Sequence, residues 1–406
     1  MLRDYITRNS FLLSITFLSL IFTFTLVTLN RSFTIGAIVG ILFLLFVYQK
    51  IRVSKVVLVL SLLTVIAITL FLSFYIKSDS SLGRLLIYKI SFKMFLEYPI
   101  TGIGWGNFQR EYNLYQAAFF KSGNYTQKEF LLADNTFYAF NDYWQLIVET
   151  GLVGGLCLIT FIIFLTIKTY IHLKTQNSFL IFLISILIVI CVAAFFTHVF
   201  ENKPFQIAII VVVIYIIFYK NIELLKPLVL TCLLLTITAF VSLVIYFKVI
   251  YNFKNYQKLE QAELLAATGY LTESRKLFDE LHPVFYNDIG FLKGYSEVLF
   301  GHEIQSKRMA VFQEIINKYT DNLTFLKIGL SYEELGMSKQ AETTFLKAVY
   351  MVPNRFVPKQ ALYNFYVKNK QNDKATYWRK VILTMPVKIP SERIEAIKQT
   401  VKTNNF

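Results

Sequence analysis

Residues 140–173 read FNDYWQLIVETGLVGGLCLITFIIFLTIKTYIHL. From Leu146 to Ile167 the only charged side chain is Glu149, and the run has the roughly 20 apolar residues that a helix needs to cross a bilayer. Asp142, Gln145 and Glu149 stand at i, i+3 and i+7, so a helix entering the membrane here presents all three on one face. A carboxylate at that depth is costly unless it has a partner or a task. Comparable apolar runs at 10–29, 33–48, 56–76, 178–197, 205–220 and 227–247 bring the prediction to about seven spans.

The whole chain agrees with a membrane assignment. A hydrophobic fraction of 55% over 406 residues, with 17% aromatics, exceeds what a water-soluble fold of this size carries. The first apolar run has no small-x-small cleavage site and leads directly into a second, so it reads as a span. Cys157, Cys191 and Cys232 lie inside apolar runs without metal-ligand spacing, which argues against a disulfide frame or a zinc site. The net charge of +15 is scattered rather than gathered into an aromatic-interleaved stripe, so no nucleic-acid partner is expected. Basic residues mark every second connection: Arg3 and Arg8, then Lys50, Arg52 and Lys55, then Lys168 and Lys174, then Lys220 and Lys226. The connections between them hold only Arg31 or Lys203, which predicts a cytoplasmic N-terminus and sends both the long 77–145 connection and everything after 248 to the far side.

The organisation expected is therefore all-α. Three spans occupy 1–76, a long loop 77–145, four spans 146–250, and a soluble helical-repeat domain 251–406. Within the last part, Gly329, Tyr332, Ala341, Phe345, Ala348 and Pro353 fall at the small and aromatic packing positions of a 34-residue tetratricopeptide unit. Weaker copies run from Ala262 through Gly269 to Phe278 and from Tyr363 through Ala375 to Pro386. Such units stack to bury their apolar faces, and the concave surface that results holds a partner or another part of the same chain; a purely stabilising appendage is the alternative.

The chemistry is expected in the long loop. A helix carrying Lys89, Lys93 and Glu97 every four residues among Leu85, Leu86, Ile90, Phe92 and Phe95 suits a membrane interface. Pro99-Ile-Thr-Gly-Ile-Gly-Trp-Gly-Asn-Phe108 follows, where Gly102, Gly104 and Gly106 permit a tight turn or a close approach to a ligand. No Gly-Lys-Ser/Thr follows, so a nucleotide site is not expected. No His-Glu-x-x-His or Asp-x-Asp pattern provides a metal, and no cofactor is expected.

Three elements in order, Gly83-Arg84, then Pro99-Ile-x-Gly-Ile-Gly-x-Gly-Asn-Phe108, then Asn141-Asp-Tyr-x-Gln-x-x-Val-Glu-x-Gly-Leu-x-Gly154, resemble the O-antigen ligase and polymerase superfamily. The likeness is to the Bacteroidota-type members with C-terminal tetratricopeptide repeats, and Met385-Pro-Val-Lys-Ile-Pro-Ser391 resembles the close of that domain. The resemblance implies a metal-independent glycosyl transfer at the periplasmic face of a bacterial inner membrane. A glycan would pass from undecaprenyl diphosphate to an acceptor hydroxyl on lipid A core, on a growing glycan or on a protein, with inversion at the anomeric carbon. A diphosphate leaving group calls for a cation and the acceptor for a base. Arg84 is the first candidate for the clamp, since a guanidinium grips phosphate oxygens in a fixed fork, and Arg110 is the second. Many relatives carry a histidine where this chain has Phe140; Asp142, Glu149 and His198 are the candidate replacements. Gly104, Trp105, Asn107, Asn141, Gln145 and Lys203 complete the candidate substrate contacts, while His172, His282 and His302 have no expected role. Membrane lipids and a protein bound to the repeats are further expected partners.

The likeness starts near Asn30-Arg31-Ser32, an element that resembles the family's mid-sequence Ser-Arg, so leading helices are expected to be missing, by truncation or in a shorter variant that works with a partner or as an oligomer. A glycan polymerase and a non-catalytic membrane-anchored repeat scaffold are the alternative readings.

Overall fold

The computed structural model describes residues 14–25, 30–48, 78–174, 177–223, 242–243, 246, 252–300 and 305–403. The described residues are helices and connections, with no strand among them, and the chain is all-α. They fall into two compact units. One contains Met1–Gly106 and Tyr138–Leu230; the other contains Asn107–Phe137 and Thr231–Phe406. Residues 77–145 therefore contribute to both.

In the first unit, α1 (Ser14–Thr25) and α2 (Arg31–Val47) precede the loop helix α3 (Ser78–Glu97). Within the second unit's share of the loop lie α4 (Phe108–Lys121) and α5 (Gln127–Leu132). The first unit resumes with α6 (Asp142–Leu173), α7 (Ser178–Ala193) and α8 (Lys203–Glu223). Among the described residues α6 alone is both long and apolar enough to cross a membrane; α1, α2, α7 and the apolar stretch of α8 are shorter apolar helices. The expected spans at 56–76 and, for the most part, 227–247 lie outside the described residues, so the expected total of about seven stands as an expectation. Leu152, Leu156, Ile159, Ile163 and Ile167 of α6 are exposed, an arrangement that suits a hydrocarbon surrounding and not water.

The α2–α7 contact is made by a small-residue seam. A Cβ at Gly36 would come within 2.5 Å of the Val189 carbonyl oxygen, and one at Gly40 within 2.9 Å of Val189 Cγ2. Glycines four residues apart let the two backbones meet at van der Waals distance, which is how helices associate where no hydrophobic force separates protein from solvent. Leu18, Leu44 and Ile181 close around the seam.

The second unit continues with a helix over 252–267 (α9) and then α10 (Leu271–Phe285), α11 (Ile289–Phe300), α12 (Gln305–Ile316), α13 (Asn322–Glu334), α14 (Ser338–Met351), α15 (Phe356–Lys368), α16 (Asn372–Thr384) and α17 (Glu392–Thr403). Neighbouring helices of this series pack against one another. Gly329 of α13 admits the Phe345 ring of α14, whose Cδ1 would stand 2.6 Å from an added Cβ, and Ala341, Phe345 and Ala348 are fully buried.

Candidate functional site

The glycine turn and the kink in α6 are two halves of one device. At Gly151 the backbone adopts φ 67° and ψ −162°, so the helix breaks there. In an unbroken helix the Leu152 and Val153 amides would donate to the Val148 and Glu149 carbonyls. Here Ile103 and Gly104 donate to those carbonyls at 3.1 and 2.9 Å, while Leu152 and Val153 donate to Pro99 and Ile100 at 2.9 and 3.3 Å. The turn at 98–106 thus satisfies each group the break would orphan, a requirement at the edge of an apolar layer. Gly102 has φ 68°, and a Cβ there would fall inside the Glu149 carbonyl; one at Gly151 would fall inside that of Ile100. The close approach that these glycines permit is to the chain's own helix.

Asp142, Gln145 and Glu149 are buried on one face of α6, and each ties down a different segment. Asp142 Oδ2 accepts from the Val199 and Phe200 amides at 2.7 and 2.9 Å. Gln145 Oε1 accepts from the Ala139 amide at 3.0 Å, and its Nε2 donates to Glu201 at 3.0 Å and to Glu149 Oε1 at 3.4 Å. Glu149 Oε2 accepts from the Gly106 amide at 2.9 Å. Both carboxylates are thus hydrogen-bonded parts of the frame. Asn141 caps α6 by accepting from the Trp144 amide at 3.0 Å, and the Trp144 indole donates to Ser91 of α3 at 2.8 Å, which seats α3 on α6.

On this frame stand the remaining groups. Arg84 of α3 places its guanidinium 5.5 Å from the centre of the Phe140 ring. One helical turn on, the Tyr88 hydroxyl bonds the Asn141 side chain beside Arg84, and burial holds that hydroxyl above its ordinary pKa. Phe140 has φ 54°, an uncommon conformation for a bulky residue. His198 stacks on Tyr138 with centres 4.3 Å apart and meets the Phe140 ring edge-on at 5.7 Å. Burial lowers the His198 pKa, against an opposing pull from Glu201, and so favours the neutral ring. Its Nδ1 is buried and has no hydrogen-bond partner among the described residues.

Of the residues singled out in the sequence, Arg84, Gly104, Asn141, Asp142, Gln145, Glu149 and His198 belong to this one assembly. Trp105 is 75% exposed on the turn and Lys203 opens α8. Arg110 and Asn107 belong to the other unit, where Arg110 pairs with Glu111 at 2.7 Å. On α3, Leu86 and Ile90 face inward while Leu85, Phe92 and Leu96 are exposed alongside Lys89 and Lys93, giving an outer face that mixes apolar and basic side chains. Tyr88, Tyr138 and Glu201 were not singled out; Tyr88 stands four residues from Arg84, the spacing that shares a helix face.

Residues 16–159, about a third of the chain, match the family model described as O-antigen ligase. The matched segment contains Arg84, the glycine turn and the Asp142–Glu149 face, and it ends before His198 and the repeats. The match supports a place in the O-antigen ligase superfamily, whose members are membrane proteins with ligase-type activity. A search of curated proteins gives no match.

Proposed function

We propose that this chain is a glycosyltransferase of the O-antigen ligase kind, which moves a glycan from undecaprenyl diphosphate to an acceptor hydroxyl on lipid A core or protein at the periplasmic face of the inner membrane. The observation that carries the reading is the meeting of Arg84 and His198 around Phe140, beside the glycine turn and the α6 face that lie in the matched segment.

In this reading the acceptor oxygen attacks the anomeric carbon from the face opposite the diphosphate. Its proton passes to the His198 imidazole, the bond from that carbon to the diphosphate oxygen breaks, and undecaprenyl diphosphate leaves with its added charge held by Arg84. The hydrogen bonds at Asp142 and Glu149 favour His198 over either carboxylate as the base, because both acids already hold backbone amides. Lys203 is a second cation for the diphosphate, and Trp105 with the outer face of α3 meets the lipid headgroups. The helical pairs after residue 252, with Gly329, Ala341 and Phe345 at their contacts, support a tetratricopeptide-type repeat domain on the same side of the membrane.

The test uses a strain without this gene, complemented at matched membrane levels with wild type, Arg84→Ala or His198→Gln. Wild type restoring full-length lipopolysaccharide or a glycoprotein, with both variants failing, is the expected result. Restoration by either variant removes that residue's role, and no restoration by wild type removes the transferase reading.

A further inference from the structure

The second unit holds a piece of the long loop inside the repeat array. Residues 107–137 leave the site at Gly106 and return to it at Tyr138, and between those points they are bound to the repeats by buried polar contacts. Asn113, fully buried, donates from Nδ2 to the carbonyls of Thr136 at 3.1 Å and Thr320 at 2.7 Å. Gln116 donates to Asp134 at 2.9 Å and to Met351, the last residue of α14, at 2.5 Å. From the repeat side, Asn354 donates to the carbonyls of Phe130, Leu131 and Ala133, with the nearest at 2.7 Å. Asn135 and Asn322 exchange two hydrogen bonds, Thr320 Oγ1 donates to the Arg110 carbonyl at 2.7 Å, and Phe137 stacks on Tyr319 with centres 4.2 Å apart.

These contacts run both ways between the segment and the repeats. Buried amides of α4 bond the carbonyls of Thr320 and Met351, the Asn354 amide reads three carbonyls of the return stretch, and the Phe137–Tyr319 stack holds its end. Each half is bonded to the repeats, α4 through Asn113 and Gln116 and the return stretch through Asn354, Asn322 and Tyr319, and Asn113 and Gln116 also tie the return stretch to α4. Residues 121–128 between the halves are exposed.

We infer that the repeat array is an intramolecular clamp whose partner is the chain's own 107–137 segment, and that it sets the spacing of the two site segments joined to that segment's ends. On one side, Gly106 carries the amide that Glu149 holds; on the other, Tyr138 carries the ring on which His198 stacks and Ala139 the amide that Gln145 holds. A free loop would let the separation of its two ends vary, while one held to the repeats along both halves fixes that separation within the second unit. The inference concerns the frame of the site and does not depend on the reaction assigned to it.

Amide hydrogen exchange on the full chain in lipid nanodiscs tests it in two arms. In the first, Asn113→Ala/Gln116→Ala is expected to speed exchange across α4, and at Gly104, Gly106 and Ala139 at least about tenfold, with α13–α15 unchanged. In the second, a site-specific protease sequence inserted between Gly123 and Asn124 is cut, and the nicked chain is expected to keep wild-type exchange at the same three amides because each half keeps its bonds to the repeats and to the other half. Release of α4 without effect at those amides overturns the inference, as does failure to release α4. Should α13–α15 open as well in the first arm, the nicked chain, whose repeats are unaltered, decides: faster exchange at the three amides after cutting overturns the clamp.

Discussion

Gly102→Ala isolates the device that joins the glycine turn to α6. The new methyl falls inside the Glu149 carbonyl, and that carbonyl is backbone, held in place from the other side by α6. Alanine at φ 68° costs about 1–2 kcal/mol in conformation alone. Moving the turn far enough to relieve the overlap breaks the bonds from Ile103 to Val148 and from Gly104 to Glu149, at about 1 kcal/mol each net, and leaves two carbonyls at the helix break without donors, at roughly 1–3 kcal/mol each. The terms overlap, so about 3–5 kcal/mol is the expected range, which at 1.4 kcal/mol per decade is a rise of at least ~10²-fold in the opening equilibrium of the turn. Exchange of the Ile103, Gly104 and Gly106 amides, measured by mass spectrometry on the full chain, reads that equilibrium directly. Gly83→Ala is the internal control, because a Cβ there meets nothing within 4 Å and the residue lies within α3, where alanine is the better helix former. Exchange in Gly102→Ala equal to wild type at all three amides would refute the reasoning.

Asp142→Asn is expected to keep wild-type stability and transfer, because an amide oxygen can still accept from Val199 and Phe200, whereas Asp142→Ala strands both amides and lowers stability by about 2–4 kcal/mol in thermal unfolding; loss of transfer in a stably folded Asp142→Asn would make Asp142 the base. The acid limb of the transfer rate is expected to lie below the ordinary histidine value of 6.5, since burial lowers the His198 pKa, and a pH–rate profile with its limb at or above 6.5 contradicts this. Lys359, buried where it donates to the Pro353 carbonyl, has its pKa pushed down to about 7 by desolvation. The unfolded chain binds the extra proton between that value and 10.5, so stability rises with pH across this window by up to ~1.4 kcal/mol per unit and is lost as pH falls toward 7. In Lys359→Met that slope is expected to vanish from unfolding curves, and its persistence would rule this lysine out as the source. Gly36→Leu drives a side chain into the Val189 backbone and is expected to lower the Tm of the detergent-purified protein, while a Tm equal to wild type would dissolve the α2–α7 seam as described.

What could be read in the sequence was whatever a short-range period encodes. The spacing of Asp142, Gln145 and Glu149 places them on one helix face, and they are buried on one face of α6. Arg84 and the glycine turn were legible as features of one loop, and the stretch over Lys89 and Lys93 as a helix. The break at Gly151 was not, because an apolar run carries no mark of a lost turn, and the groups that replace its hydrogen bonds lie about fifty residues earlier in the chain. Gly36 and Gly40 escaped for the opposite reason: within a hydrophobic run their spacing matters only once a partner helix is known. Asn113, Gln116 and Asn354 look in sequence like ordinary surface amides. Their partners are backbone carbonyls, which are identical at every position and leave no trace in residue type.

The assignment of the acids illustrates why burial and chemistry need separating. Read from sequence, a carboxylate close to the bilayer is either a catalyst or a paired structural group, and spacing alone weighs both equally. The hydrogen bonds tip the balance. Asp142 uses one oxygen to hold two amides of the 199–200 turn, and Glu149 uses one for Gly106 and the other for Gln145. Protonating either group in a catalytic cycle would weaken the bonds that keep His198 and the glycine turn in place, so an acid that served as base would loosen its own site at each turnover. His198 carries no such duty. Its ring is held by stacking on Tyr138 and an edge-on contact with Phe140, neither of which requires a particular protonation state, and gaining a proton there leaves the backbone frame intact. In the proposed division the carboxylates hold the architecture and the imidazole moves the proton, so that the site turns over without loosening its own frame.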